Sequence, residues 1–245
     1  MARMAARAFL PRTLLTAGRE VAAFARQAWL LRHDLAEPVT PERACNGEDV
    51  VVFLHGLFAS AGVLRPMRGA IARHPGLHAA AMSYPPGPGV EELAGRLAGL
   101  VAALPEGVRL HLVGHSLGGV VARFFAQEAG EPRVVQTISM ASPFAGVLGA
   151  RVLGFGAARD LEPHSPLLRR VLLGVDRSSH IPHLSIVAAA DAFIRWPIAH
   201  ALPGGEVMVM EGRGHNTLLF DEEVARIVAQ RVLARRAALC KAARP

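Results

Sequence analysis

Residues 108–125 read VRLHLVGHSLGGVVARFF, and the reading of this stretch decides the fold. The run RLHLVG at 109–114 is short and apolar, as a buried strand is, while 117–129 carries its apolar residues at helical spacing. Between them stand Gly114, His115, Ser116, Leu117, Gly118 and Gly119. A serine in that place is either one residue of a tight turn or a nucleophile held up at a sharp strand-to-helix elbow. Gly-x-Ser-x-Gly recurs by chance, but its position after a strand and before a helix is the one an exposed serine nucleophile requires. The rest of the chain decides between the two.

Working outward, apolar runs alternate with helical patterns. Strands are expected at 50–55 (VVVFLH), 78–84, 109–114, 134–142, 183–191 and 206–212, and helices at about 64–73, 90–104, 117–129 and 221–239. Such alternation predicts an α/β architecture, a mostly parallel sheet flanked by helices. Continuous rather than alternating apolar strands suit a sheet covered on both faces. Residues 143–182 interrupt the rhythm: they are long, hold no clear strand and carry patches of Leu, Val and Phe. Ligands in open α/β sheets sit beyond the carboxyl ends of the strands, so an insertion there is read as a helical cap over a site. The expected domains are an N-terminal amphipathic helical extension over 1–45 and one α/β domain over 46–245 that carries the cap.

Composition bounds the function. Of 245 residues 51% are hydrophobic and 19% charged, which supplies a core and excludes a disordered chain. The net charge is +7, yet every basic residue except Lys241 is an arginine and they are scattered, as a coding bias would leave them. No nucleic-acid-binding motif accompanies the charge, so no nucleic-acid partner is expected. Cys45 and Cys240 offer no metal spacing and are read as reduced thiols of a cytoplasmic protein. Pro11, Arg12, Arg19 and Glu20 interrupt any apolar core of a signal peptide, and no apolar run is long enough to span a bilayer. A helix beginning near Pro11 would align Leu10, Leu14, Ala17, Val21, Phe24 and Ala28 on one face, with Arg12, Arg19 and Arg26 on another. That face either packs on the domain or on a second subunit, or makes peripheral contact with a membrane surface.

The chemistry at the elbow needs partners. A serine hydroxyl is a poor nucleophile until a base accepts its proton. His215, in the Gly-rich EGRGHNTLL after the last strand, is the best placed of eleven histidines, and Asp191 ends HLSIVAAAD. A carboxylate there would orient the imidazole and stabilise its charged form. Asp160, Glu162, His164, Asp176 and His180 compete, but they lie in the insertion rather than at strand ends. An acyl-transfer site also needs amides aimed at a developing oxyanion, and Leu57 and Leu117 are the candidates. His55 is read as an organiser of its loop, and His55, Gly56, Phe58 and Phe144 are expected around the substrate pocket.

With FLHGL at 53–57, GHSLGGVVARFF at 114–125, SMASPFAG at 139–146, DLEPHSPLL at 160–168 and GRGHNTLLFDEEV at the end, the chain resembles the α/β-hydrolase superfamily, in particular its bacterial triacylglycerol lipase and esterase branch. The resemblance covers about residues 50–235. It implies hydrolysis of a small-molecule ester or lipid through an acyl-Ser116 intermediate, with no cofactor and no metal. Where relatives carry Thr-Pro-His, this chain has Ser142-Pro143-Phe144, and AFIRWP follows Asp191. Thioesterase and acyltransferase chemistry would use the same triad, and a non-catalytic binding module on this fold is the remaining alternative. Acyl length and oligomeric state stay open.

Overall fold

A computed structural model describes residues 12–242. Six strands, β1 (Asp49–Leu54), β2 (Leu77–Met82), β3 (Arg109–His115), β4 (Val134–Met140), β5 (His183–Ala188) and β6 (Glu206–Met210), form one sheet in the order β2-β1-β3-β4-β5-β6. Every strand pair is parallel, and an isolated antiparallel bridge joins Val39 to Ala81 beside β2. The helices are α1 (Arg12–Leu30), α2 (Arg65–Ile71), α3 (Val90–Ala102), α4 (Leu117–Glu128), α5 (Gly156–Asp160), α6 (Pro166–Leu173) and α7 (Glu222–Ala242).

Alternation of side chains across the pleat divides the interior in two. Val50, Val52 and Leu54 of β1 join the apolar residues of α3, α4 and α6, whereas Val51 and Phe53 join those of α2 and α7. All six residues of β1 are buried, which explains why the five from Val50 to Leu54 read as an unbroken apolar run. Local signals set the helix limits. Glu91 and Glu92 occupy the first turn of α3, where acidic groups favour the helix dipole, and Ser165 caps α6 by accepting the Leu168 N–H at 3.1 Å, with Pro166 in the first turn.

The insertion over 143–182 holds no strand. Its second half is tied to the main core: Leu168 and Val171 are buried, and the Gln127 side-chain amide donates to the Val171 carbonyl at 3.0 Å. Asp160 accepts the N–H of Val90 at 2.7 Å, so this competitor for the acid role is engaged at the start of α3. Glu162 accepts the N–H groups of Gly149 and Arg151 within the insertion.

α1 departs from expectation. Leu10 and Pro11, and the side chain of Arg12, lie outside the described residues. Of the expected apolar face, Leu14, Ala17, Val21, Phe24 and Ala28 are all exposed, Val21 to 68%. The face turned to the domain is instead the row Thr16, Glu20, Ala23, Gln27 and Leu30, also at helical spacing. Its hold is polar: Glu20 accepts hydrogen bonds from Asn216 and Thr217, and small Ala23 is buried beneath the helix. The carbonyls of Leu30 and His33 also approach so closely that a Cβ on Gly62 would lie 2.3 Å and 2.6 Å from them. Just beyond, Asp34 is clamped by Arg65 at 2.7 Å and by Arg68. Both cysteines are free and exposed.

At the opposite end of the sheet Asp49, fully buried, accepts from Arg109 at 2.7 Å and 2.8 Å and from His111 at 2.8 Å. Burial would raise its carboxyl, but the bonds from His111 and Arg109 outweigh burial and hold it below its ordinary value. Asp49→Ala leaves buried polar groups unanswered and is expected to cost about 3–5 kcal/mol of stability, read from urea unfolding.

Candidate active site

β3 ends and α4 begins at Ser116, whose φ of 53° and ψ of −121° lie outside the ordinary regions for a side-chain-bearing residue. Backbone crowding forces this turn. A Cβ on Gly114 would lie 2.2 Å from Gly118 and Gly119 backbone atoms, one on Gly118 would lie 2.3 Å from the Leu54 carbonyl, and one on Gly119 would meet Ser142 Oγ at 2.0 Å. The glycines are therefore required by close approach of β1, β3 and α4. The Ser116 N–H is satisfied by the Met140 carbonyl at 2.8 Å, which ties the elbow to β4.

His215 follows β6 and Asp191 follows β5, and the fold brings them together. Asp191 Oδ2 accepts the His215 Nδ1–H at 2.7 Å, while Oδ1 accepts the N–H groups of Phe193 and Ile194, each at 2.9 Å. The Asp191 side chain is almost wholly buried and that of His215 nearly so. The remaining imidazole nitrogen, Nε2, is left for a reacting proton. Among the described residues no hydrogen bond joins Ser116 Oγ to His215, and the two side chains line one cavity of about 390 Å³. Catalytic hydrogen bonds are often long in the unliganded state and tighten around substrate.

Gly56, Leu57 and Phe58 line the same cavity, Phe58 packing edge-on against Phe155 at 5.9 Å. Leu117 is the first residue of α4, where backbone N–H groups lack an intrahelical acceptor. The insertion contributes Pro143, Val147, Ala150, Leu153, Ala158 and Leu161, so its first half forms a wall of the cavity. Two expected pocket residues are not there. His55 is fully buried below the loop, stacked on Tyr84 at 3.8 Å, where its Nδ1–H donates to the Gly56 carbonyl at 2.7 Å and its Nε2 accepts the Tyr84 N–H at 3.1 Å. The Tyr84 hydroxyl donates to the His55 carbonyl. Phe144 is turned into the core against His183, at 5.4 Å, because the chain turns after β4 and carries Pro143 to the cavity in its place.

Sequence reading missed Phe24 and Gln27 of α1, Phe193 and Ile194 after Asp191, and His115 and Asn216, all of which line the cavity. AFIRWP marked the second pair as unusual; nothing in the sequence aims α1 at the elbow. His115 donates its Nε2–H to the His215 carbonyl at 3.0 Å and meets the His215 ring at 4.8 Å. A wider, open groove of about 1050 Å³ between α2 and α7 contains none of Ser116, Asp191 and His215.

These elements together have the α/β-hydrolase fold. Residues 45–159, which carry the His55-Gly56 loop and the elbow, match the family described as "Putative serine esterase (DUF676)". Among solved structures, the mature form of lipase BlEst2 from Bacillus licheniformis superposes with a TM-score of 0.62 at 14% identity, over 80% of this chain and 97% of that one. Est1E from Butyrivibrio proteoclasticus, with ferulic acid bound, gives 0.62 at 15% identity over 82% and 94%. Carboxylesterase CesB from Bacillus subtilis gives 0.53 at 19% identity over 90% and 98%. No curated protein matches the chain in sequence. The family match spans somewhat less than half of the chain, and the solved structures share its fold.

Burial shapes the protonation of the site's surroundings. It depresses His55 to about 4, and burial, then the neighbouring His215, depress His115 to about 3; burial likewise takes His183 to about 3. The unfolded chain takes up protons below about pH 6.5 that the folded chain excludes. Stability is therefore expected to fall as pH drops from about 7 to about 5, by roughly 1–2 kcal/mol for each such histidine, as urea midpoints at the two pH values would record.

Proposed function

We propose that this protein hydrolyses carboxylic esters with Ser116 as nucleophile, His215 as general base and acid, and Asp191 as its orienter. The observation that carries this is the 2.7 Å bond between Asp191 and His215 at the rim of the cavity that Ser116 enters. Ser116 Oγ attacks the ester carbonyl carbon while its proton passes to His215 Nε2. The amides of Leu57 and Leu117 receive the developing oxyanion, a contribution of roughly 3 kcal/mol each in acyl-transfer sites. Collapse expels the alcohol with the proton from His215, and water, deprotonated by the same nitrogen, then releases the acid and restores Ser116. The apolar lining from the insertion and α1 favours an apolar acyl group, and the two free thiols fit a reducing compartment such as the cytoplasm. Thioesters would react by the same steps.

The domain division proposed is a hydrolase domain over 46–245 with its cap at 143–182, preceded by the helical segment 1–45. Among the described residues no helix is long and apolar enough to cross a membrane. Peripheral membrane contact is a second reading, favoured by the exposed Leu14 and Val21 of α1 and by Leu148 and Val152, exposed to 87% and 84%, beside cavity residues Val147 and Leu153. The exposed Arg19 lies on the same helix as an attraction for anionic lipid.

Hydrolysis of p-nitrophenyl esters from acetate to palmitate tests the chemistry. Ser116→Ala should abolish both turnover and labelling by a fluorophosphonate, and Asp191→Asn should lower kcat about 10⁴-fold. No turnover at any chain length, with Ser116 unlabelled, would leave a binding module. Flotation with anionic vesicles tests the second reading: Leu14→Ser with Val21→Ser should reduce the bound fraction, and equal flotation would remove it.

A further inference from the structure

We propose that Glu20, on α1, is a positioning residue for His215, so that the helix ahead of the hydrolase domain takes part in setting the catalytic geometry. The inference rests on the triad reading above and goes beyond it to a part of the chain outside the matched family segment, which begins at residue 45. The carboxylate of Glu20 accepts the Asn216 N–H on Oε1 at 2.7 Å, and the Thr217 N–H and Thr217 hydroxyl on Oε2 at 3.0 Å and 2.7 Å. Asn216 and Thr217 are the two residues after His215. On the other side, Gly214 presses on the same carboxylate: a Cβ there would stand 2.3 Å from Oε2. One side chain thus holds the loop immediately after the base and lies close against the residue immediately before it.

The loop needs such a grip. His215 lies beyond the end of β6 at Met210, outside the sheet ladder. Asp191 fixes its ring through Nδ1, and His115 holds its carbonyl, but neither contact holds the backbone of the residues that follow. Charge-assisted bonds to backbone amides are about twice as strong as neutral ones. Glu20 has no ion-pair partner among the described residues, so its charge is answered by the amides and hydroxyl of this loop. A shift of about 1 Å in a catalytic group costs on the order of 10²-fold in rate, and Glu20 adds to the backbone bonds that fix this loop, from the Ala190 N–H to the Arg213 carbonyl at 3.0 Å and from the Leu219 N–H to the Asn216 carbonyl at 3.1 Å. The same helix places Phe24 against Phe193 at 5.8 Å, and Phe193 meets the His215 ring at 5.3 Å, so the strap touches the base by a second route.

The full-length protein carrying Glu20→Gln, which keeps the side chain's size but replaces one acceptor with a donor facing Thr217, gives the test. Expected are a fall in kcat of about 10–100-fold with KM within about twofold, and an equal slowing of fluorophosphonate labelling at Ser116. Ala22→Ser, two residues away at an exposed position of the same helix, should leave both unchanged. A simple structural role would lower the melting temperature with kcat, KM and labelling intact at temperatures well below it, and that result overturns the proposal. So does a loss expressed in KM alone. Should Glu20→Gln fail to fold, Thr217→Val removes one bond from the loop side and is expected to lower kcat severalfold in the same pattern; unchanged kcat would equally overturn it. A readout independent of turnover is the low-field proton resonance of the His215–Asp191 bond, which should shift or broaden in Glu20→Gln. An inactive, unlabelled wild type would sink the esterase reading, while that resonance would still decide whether Glu20 holds His215: an unmoved signal means it does not.

Discussion

The close approach of β1, β3 and α4 at residues 114–119 is the constraint on which the rest depends. With Gly118 against the Leu54 carbonyl and Gly119 against Ser142, no side chain fits at either position, and Ser116 takes a positive φ as a result. Backbone in such a region costs about 1–3 kcal/mol and persists only where its surroundings dictate it. Here the buried β1 and β3, the Met140 carbonyl on the Ser116 amide, and the apolar underside of α4 do so. The same crowding brings the loop after β1 beside the elbow, so that Gly56, Leu57 and Phe58 share a cavity with the serine.

The remaining parts of the site are arranged by the order of parallel strands. Because β3, β4, β5 and β6 are neighbours running the same way, the segments after their carboxyl ends meet on one side. Asp191 and His215 are 24 residues apart and 2.7 Å apart for this reason. Burial then sorts the histidines. His55, His115 and His183, the last bonded to the hydroxyls of Thr137 and Ser139, are kept neutral as donors and acceptors within the framework, which leaves His215 as the one at the cavity with a carboxylate behind it. The proposed mechanism thus relies on a histidine that differs from its neighbours in its partner and its access, rather than in its residue type.

The insertion and α1 supply the walls. The insertion is firmly held at α6 and presents its earlier, more exposed half to the cavity. α1 reaches the cavity from the other side, held by a carboxylate on loop amides rather than by its apolar stripe. Its outer residues are consequently left facing solvent, the feature that any partner or lipid surface would meet first.

Much of this was legible in residues alone. Six strands, the elbow glycines and the places of Ser116, Asp191 and His215 beyond strand ends were readable because period, turn chemistry and strand ends are local properties, and a strand's carboxyl end is known once the strand is. Three assignments were not. Helical spacing showed that Leu14, Val21 and Phe24 share a face but could not say which way it points, since that depended on Glu20 finding amides 196 and 197 residues away. His55 and Phe144 sit beside site residues in sequence, yet whether a side chain turns toward a cavity or away from it is set by packing against Tyr84 and His183. The sequence by itself determined the elements, the elbow and which side chains stand just beyond the strand ends. Only the tertiary structure decided what forms the walls and which helix face meets the domain, because those follow from contacts between segments far apart in the chain.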